Sequence, residues 1–386
     1  MEKIASTSRP GKILAVIFLL TLTGMTGLFA IDITLKAPQI ENPGNDPYIA
    51  EIQNEIDSIF RDIRDDFQRD YGNLNANPQK LIGAFATSSI FSSTGASLRS
   101  YQGYKTFALT VGAVGGVQLP LNIFSMFGSI ADIEKELDKV ENDLYNDGDL
   151  QLGMNPQILN AQLGINLGFL LKGLYLGFKG GYMSIPTLDL GGFQLSFQTF
   201  SAGALINYQL IRQFSLGGVF VWRGLNIGAG FIYQNTSLDL NMLLDDLTSD
   251  PVSTPYGVIT GAVTDPKFHF GFHVKTYTVP LEAVTSIRLL GFLNASLGAG
   301  VDLGFGSASL GGDLDGGVNI IGYNQGVRPG SFSVSLGGSS TPNMFNPKVM
   351  TSVGISLGPV ILLDIPVTYY FLNNGYNVGI SMGLAF

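Results

Sequence analysis

The last eleven residues, Tyr376–Phe386 (YNVGISMGLAF), constrain the chain more than any other stretch. Side chains on an extended backbone alternate between two faces. One face then carries Tyr376, Val378, Ile380, Met382, Leu384 and Phe386, and the other Asn377, Gly379, Ser381, Gly383 and Ala385. A soluble strand with one buried face puts charge on the other. This stretch carries no charged side chain, which suits a strand with lipid on one side and a small, polar lumen on the other.

Composition agrees. Charged residues are 13% of the chain, against about a quarter in typical soluble domains. Mean hydropathy is +0.27, yet no run of eighteen apolar residues follows the N-terminus. Helical membrane spans are thereby excluded. The terminal stretch resembles the last strand of bacterial outer-membrane β-barrels. That resemblance implies that Tyr376, Ile380, Met382, Leu384 and Phe386 form a C-terminal signal for the barrel-assembly machinery. The expected fold is an all-β transmembrane antiparallel barrel of about twelve strands (range 10–14), with an N-terminal amphipathic helix and one helical insertion.

Lys3, Arg9 and Lys12 precede an apolar core at 13–22, so residues 1–30 read as a secretory signal peptide cleaved after Ala30. There is no cysteine, which rules out disulfides and thiolate chemistry. Residues 31–72 carry a net −6 and residues 131–150 another −6, so acidity belongs to two soluble segments. No basic stripe marks a nucleic-acid partner.

Residues 31–80 read as a linker and an amphipathic helix placed in the periplasm. Ile49, Ile52, Ile56, Ile59, Phe60, Ile63 and Phe67 recur there at helical spacing. Residues 81–386 read as the barrel. Within it, 81–100 is either a first hairpin strand or a lumen plug, and 123–145 is a helical insertion. Small residues at 81–100, standing before the first clear strand, give a distant resemblance to the outer-membrane long-chain fatty-acid transporters, whose barrels have an N-terminal plug. Regular alternation marks 157–169 and 293–305. Apolar positions slip from odd to even near Thr199 and again near Arg223-Gly224, which predicts bulges. Residues 241–266 and 311–330 read as long extracellular loops. Tyrosines near strand ends, Tyr104, Tyr182, Tyr233 and Tyr370 among them, read as an aromatic girdle.

If 81–91 is a strand and 214–240 a hairpin, the barrel has twelve strands, the count adopted here. If neither holds, it has ten, and 123–145 is extracellular.

The chemistry-bearing residues are few. On a strand through Phe268–Lys275, the three phenylalanines and Val274 face lipid, leaving His269, His273 and Lys275 inward. With Lys179 and Asp302 they are the lumen-facing candidates for tuning selectivity. Four strand residues span about 13 Å, too far for both histidines to share one metal, so neither metal nor cofactor is expected. No nucleophile motif accompanies the histidines, and an enzyme is not expected. The functional expectation is an outer-membrane channel or transporter for small solutes, hydrophobic ones included, in a two-membrane bacterium. The alternative is a surface-exposed structural or adhesion barrel displaying 241–266 and 311–330 without transport. Expected partners are outer-membrane lipid, the barrel-assembly machinery and a small solute or hydrophobic ligand.

Overall fold

The computed structural model describes residues 32–41, 47–71, 78–93, 103–119, 153–189, 193–217, 219–244, 247–248, 252–254, 257–321, 327–357 and 360–386. The expected signal at 1–30 and the insertion at 123–145 lie outside the described residues. The N-terminal part holds β1 (Asp32–Lys36), β2 (Gln39–Ile40), helix α1 (Pro47–Tyr71) and helix α2 (Pro78–Ser93). Then come β3 (Phe107–Gln118), β4 (Gly153–Asn166), β5 (Leu174–Asp189), β6 (Phe193–Ile211), β7 (Phe214–Leu216) and β8 (Phe220–Leu243). The short β9 (Leu247–Thr248) and β10 (Val252–Thr254) precede β11 (Gly257–Leu289) and β12 (Leu293–Ile321). The chain ends with β13 (Val327–Arg328), β14 (Gly330–Ser340), β15 (Phe345–Leu357), β16 (Ile361–Tyr370) and β17 (Gly375–Ala385).

Antiparallel pairing runs β3-β4-β5-β6-β8-β11-β12-β15-β16-β17, and β17 pairs back onto β3 from Gly375↔Gln118 to Ala385↔Ala108. The ring is closed. Among the described residues it has ten strands, so twelve is corrected to ten, for two reasons. The 81–91 stretch is helical, and the 214–240 hairpin has one arm of only three residues, Phe214–Leu216 against Phe220–Trp222. The expected bulge at Arg223-Gly224 is present: Gly224 has φ +79, and the registers of β6 and β11 against β8 both shift beside it.

Short connections gather at one mouth (167–173, 212–219, 290–292, 358–360), where Lys105 N–H also donates to the Phe386 carbonyl at 2.8 Å. At the other mouth the ring strands are separated in sequence by 119–152, 190–192, 244–256, 322–344 and 371–374, three of these separations being long.

Around the short-turn half, the outer face is exposed and apolar: Phe231, Leu281, Leu297, Val353, Ile365 and Ile380. The inner face is buried and polar, with Thr110, Gln157, Ser201, Ser296, Ser352 and Ser381 at 5% exposure or less. Such an inside-out distribution belongs to a barrel surrounded by lipid.

Above a definite level the distribution reverses. On β11, Thr276, Thr278 and Ser286 point inward and Tyr277 and Leu281 outward, whereas Phe268, Phe270, Phe272 and Val274 are buried and His269, His273 and Lys275 exposed. The same change falls at Thr199 on β6, between Thr236 and Leu238 on β8, and at Gly306 on β12; register links Thr199 to Thr236 and Thr276 to both Gln234 and Gly306. Gly306 sits at φ +137 with its missing Cβ directed at the Lys275 carbonyl, so the level is also a kink that only glycine accommodates.

This corrects two expectations. There is no bulge at Thr199, where register with β5 and β8 is continuous; what slips is which side is apolar. The stretches expected as loops are also largely strand, because β11 and β12, at 33 and 29 residues, run far beyond the 9–11 residues that cross a bilayer.

Beyond the level, β12 exchanges partners. Its Leu293–Leu303 half pairs with β15, and its Ala308–Val318 half pairs with β14, whose other edge is covered by β1 (Asp32↔Ser335 to Lys36↔Ser331). Helix α1 packs there too: Ile52 and Ile56 meet Ile40 and Ile320, and Gln53 accepts the Ile40 N–H at 2.7 Å. β1 and α1 therefore sit at the mouth opposite the one where β3 starts and β17 ends.

Leu297→Arg at the exposed apolar belt should cost about 2–4 kcal/mol in urea unfolding from lipid vesicles, whereas His273→Arg, only two turns of pleat beyond Tyr277, should cost under about 0.5 kcal/mol. Equal losses would contradict the reversal.

Candidate functional site in the lumen

Helix α2 begins at Pro78, whose missing N–H costs nothing in the first turn. Its hydroxyls are satisfied along its own backbone, from Thr87 to the Gly83 carbonyl (2.7 Å), Ser88 to Phe85 (2.8 Å), Ser92 to Ser89 (3.0 Å) and Ser93 to Ile90 (2.7 Å). This makes a Ser-rich helix tolerable in a buried setting.

The helix lies inside the ring and spans the reversal level. Its first half enters the apolar chamber above, where Leu81, Ile82 and Ala86 pack with Leu240, Met242, Phe268, Phe270, Phe272 and Leu310, and Phe85 meets Phe272 with ring centres 4.8 Å apart. Its second half enters the polar lumen below. Ser89 and Thr276 share a hydrogen bond (3.2 Å), Ser93 donates to Thr278 (3.1 Å), and Gln234 Nε2 donates to Ser92 (2.9 Å). From Gln234 the network continues across the ring to Gln157 (3.1 Å) and on to Asn160 and Ser201. Asn377, on the far wall, donates to the Phe91 carbonyl. The side chain of each half thus matches the wall it meets.

Wall glycines let the helix in. A Cβ on Gly116 would stand 2.4 Å from the Ser88 carbonyl oxygen, one on Gly153 2.3 Å from that of Ala84, and one on Gly375 2.1 Å from the Phe91 ring.

Beside the helix lies a charge cluster. Lys348, fully buried, donates to Asp302 at 2.6 Å and Glu282 at 2.5 Å, and the Tyr370 hydroxyl donates to the second Asp302 oxygen at 2.7 Å. The Tyr370 ring stacks on Phe91 with centres 3.9 Å apart and planes at 19°. Helix, aromatic pair and ion cluster therefore form one connected unit. Tyr370 belongs to this unit and Tyr104 is buried against Tyr175, Ala108 and Leu362, so neither stands in a girdle, whereas Tyr182 is exposed at 44%.

Of the five residues expected inward, Lys179 and Asp302 are buried on inner faces. His269, His273 and Lys275 are corrected: they are exposed on the outer face beyond the lipid belt. His269 Nδ1 is 2.7 Å from Asn241 Oδ1 and His273 Nε2 4.0 Å from Asp239 Oδ1. The inward apolar residues of β11 face helix α2, a partner that alternation alone does not reveal. Sequence reading did not single out Lys348, Glu282 and Gln234, and it placed Tyr370 in the girdle. For Lys348 the available signal was a single lysine inside β15, a strand otherwise free of charge. At the C-terminus, Ile380, Met382, Leu384 and Phe386 are exposed outward, and Tyr376 is covered, its ring 5.0 Å from that of Tyr369.

Ring closure, apolar belt and polar lumen define the class: a transmembrane β-barrel of the outer-membrane type. The chain belongs to the Lsa36-like family, whose model matches residues 31–386. No curated protein matches it. Solved structures with some similarity include the translocator domain of the autotransporter NalP from Neisseria meningitidis (7% identity, TM-score 0.28, covering 73% of this chain and 89% of that one). The CymD monoaromatic hydrocarbon channel (12%, 0.24, 79% and 98%) and the Pseudomonas putida toluene transporter TodX (11%, 0.23, 79% and 96%) are others. The barrel rests on its own strand pairing.

Lys348→Met leaves Asp302 and Glu282 buried without their cation and should cost about 3–5 kcal/mol, read as a lowered urea midpoint. Asp302→Asn combined with Lys348→Met should recover part of that loss, because one buried charge goes with the other. A single variant indistinguishable from the wild type would remove the cluster from the account.

Proposed function

We propose that the protein is an outer-membrane channel for small solutes in which helix α2 is the gate. The observation that carries this reading is how the helix is held in the ring. Its lower half is bound by hydroxyl and amide hydrogen bonds to polar walls. Water replaces such bonds at little net cost, since a typical one contributes about 0.5–1.5 kcal/mol. A plug bound in this way can be displaced without opening the barrel itself. The apolar chamber formed by Leu240, Phe268, Phe270, Phe272 and Leu310 is filled by the upper half of α2, and displacing the helix would open it to hydrophobic solutes at the long-loop mouth. Lys179 and the Lys348–Asp302–Glu282 cluster supply fixed charge along the path below. The three longest separations in sequence between ring strands all fall at one mouth, which supports an orientation with that mouth outside the cell.

A second reading is a display barrel without transport. What favours it is the length of β11 and β12 past the lipid belt, with a polar exterior at His269, His273 and Lys275.

Planar-bilayer recording separates the two. Wild-type protein should be mostly closed with brief discrete openings. Gly116→Ala with Gly153→Ala, which drive two Cβ atoms into the helix backbone, should lengthen those openings severalfold. No discrete steps from either protein would discard the channel and leave display.

A further inference from the structure

We infer that the barrel lumen carries the chain's own N-terminal segment from one mouth to the other, so that residues 32–71 stand outside the cell. The inference rests on the outer-membrane reading above and adds to it a polypeptide as occupant of the passage.

Three described positions fix the path. Before the lumen, β1 is hydrogen-bonded to β14 and α1 is packed on Ile40 and Ile320, all at the long-loop mouth. Inside it, α2 descends. Leu81 and Ile82 lie in the apolar chamber; Ser89 and Ser93 then reach Thr276 and Thr278, successive inward positions further down β11. At the far mouth, Tyr104 is again inside the ring, packed against Tyr175, Ala108 and Leu362, with ring centres 4.9 Å from Tyr175. Asn166 donates to the Tyr104 carbonyl at 2.9 Å, and Lys105 begins the wall beside Phe386. The described residues on either side of 94–102 are therefore enclosed by the same ring at opposite ends.

A segment running around the outside of the barrel would cross the apolar belt, and backbone outside the ring there has no partners. Inside the ring, the Ser-rich half of α2 meets a polar wall that satisfies it. Once outside, the segment is anchored, because β1 completes the open edge of β14. An exposed strand edge invites pairing with other chains. The N-terminal segment covers that edge, and its passage through the lumen has a structural purpose.

The chain has no cysteine, so single cysteines report position directly. Full-length protein in intact cells would carry Ala50→Cys on exposed α1, Leu372→Cys at the long-loop mouth or Lys172→Cys in a short turn. A membrane-impermeant maleimide should label A50C and L372C without treatment, and K172C only after the outer membrane is permeabilised. L372C labelled in intact cells with A50C silent until permeabilisation overturns the inference and leaves the barrel reading intact. L372C silent in intact cells overturns the orientation on which both depend.

Discussion

A backbone surrounded by lipid has no water to satisfy its N–H and C=O groups, so a sheet that crosses a bilayer must close on itself. In this chain the closure is made by the C-terminal strand, β17, against β3, eleven residue pairs in continuous register. Everything else depends on that seam. It gives the ring an interior, and the interior gives helix α2 a polar and an apolar compartment to bridge.

Where lipid ends, the constraint relaxes, and the strands change character without changing direction. In the belt, solvent quality demands apolar outside and leaves the lumen polar. Beyond it, water lies outside and the buried side becomes the apolar one, as in a soluble sheet. On the four strands that pass the level, Thr199 pairs with Thr236 and Thr276 with Gly306, and Thr276 meets Gln234, two residues from Thr236. Helix α2 follows the same rule from within, with Leu81, Ile82 and Phe85 above and Ser89, Ser92 and Ser93 below. One boundary therefore organises both wall and plug.

The sequence made part of this legible. Alternation at 376–386, 157–169 and 293–305, with Asp302 the one charge among them, pointed to wall strands, which are β17, β4 and β12. The direction of His269, His273 and Lys275 was misjudged because a single rule, apolar toward lipid, was extended past the bilayer. Parity was right; the surroundings were not. The Thr199 slip was assigned to backbone geometry for the same reason. Helix α2 lacked a helical period because it is buried all round, and a stripe exists only where one face meets water. Asp302 was read as one of five inward candidates, but its partners Glu282 and Lys348 come from the neighbouring strands β11 and β15, and pairing across strands leaves no local mark.

The central claim is that α2 occupies the lumen of a closed ring. A disulfide trap tests it directly, since Ser89 and Thr276 oxygens are 3.2 Å apart and no native thiol interferes. Ser89→Cys with Thr276→Cys, oxidised in the folded barrel, should give a looped species that migrates differently from its reduced form, while Ser89→Cys with Ile380→Cys on the outer face should give none. Failure of the first pair to cross-link in a barrel that still shows heat-modifiable migration, or efficient cross-linking of the second, would contradict the account.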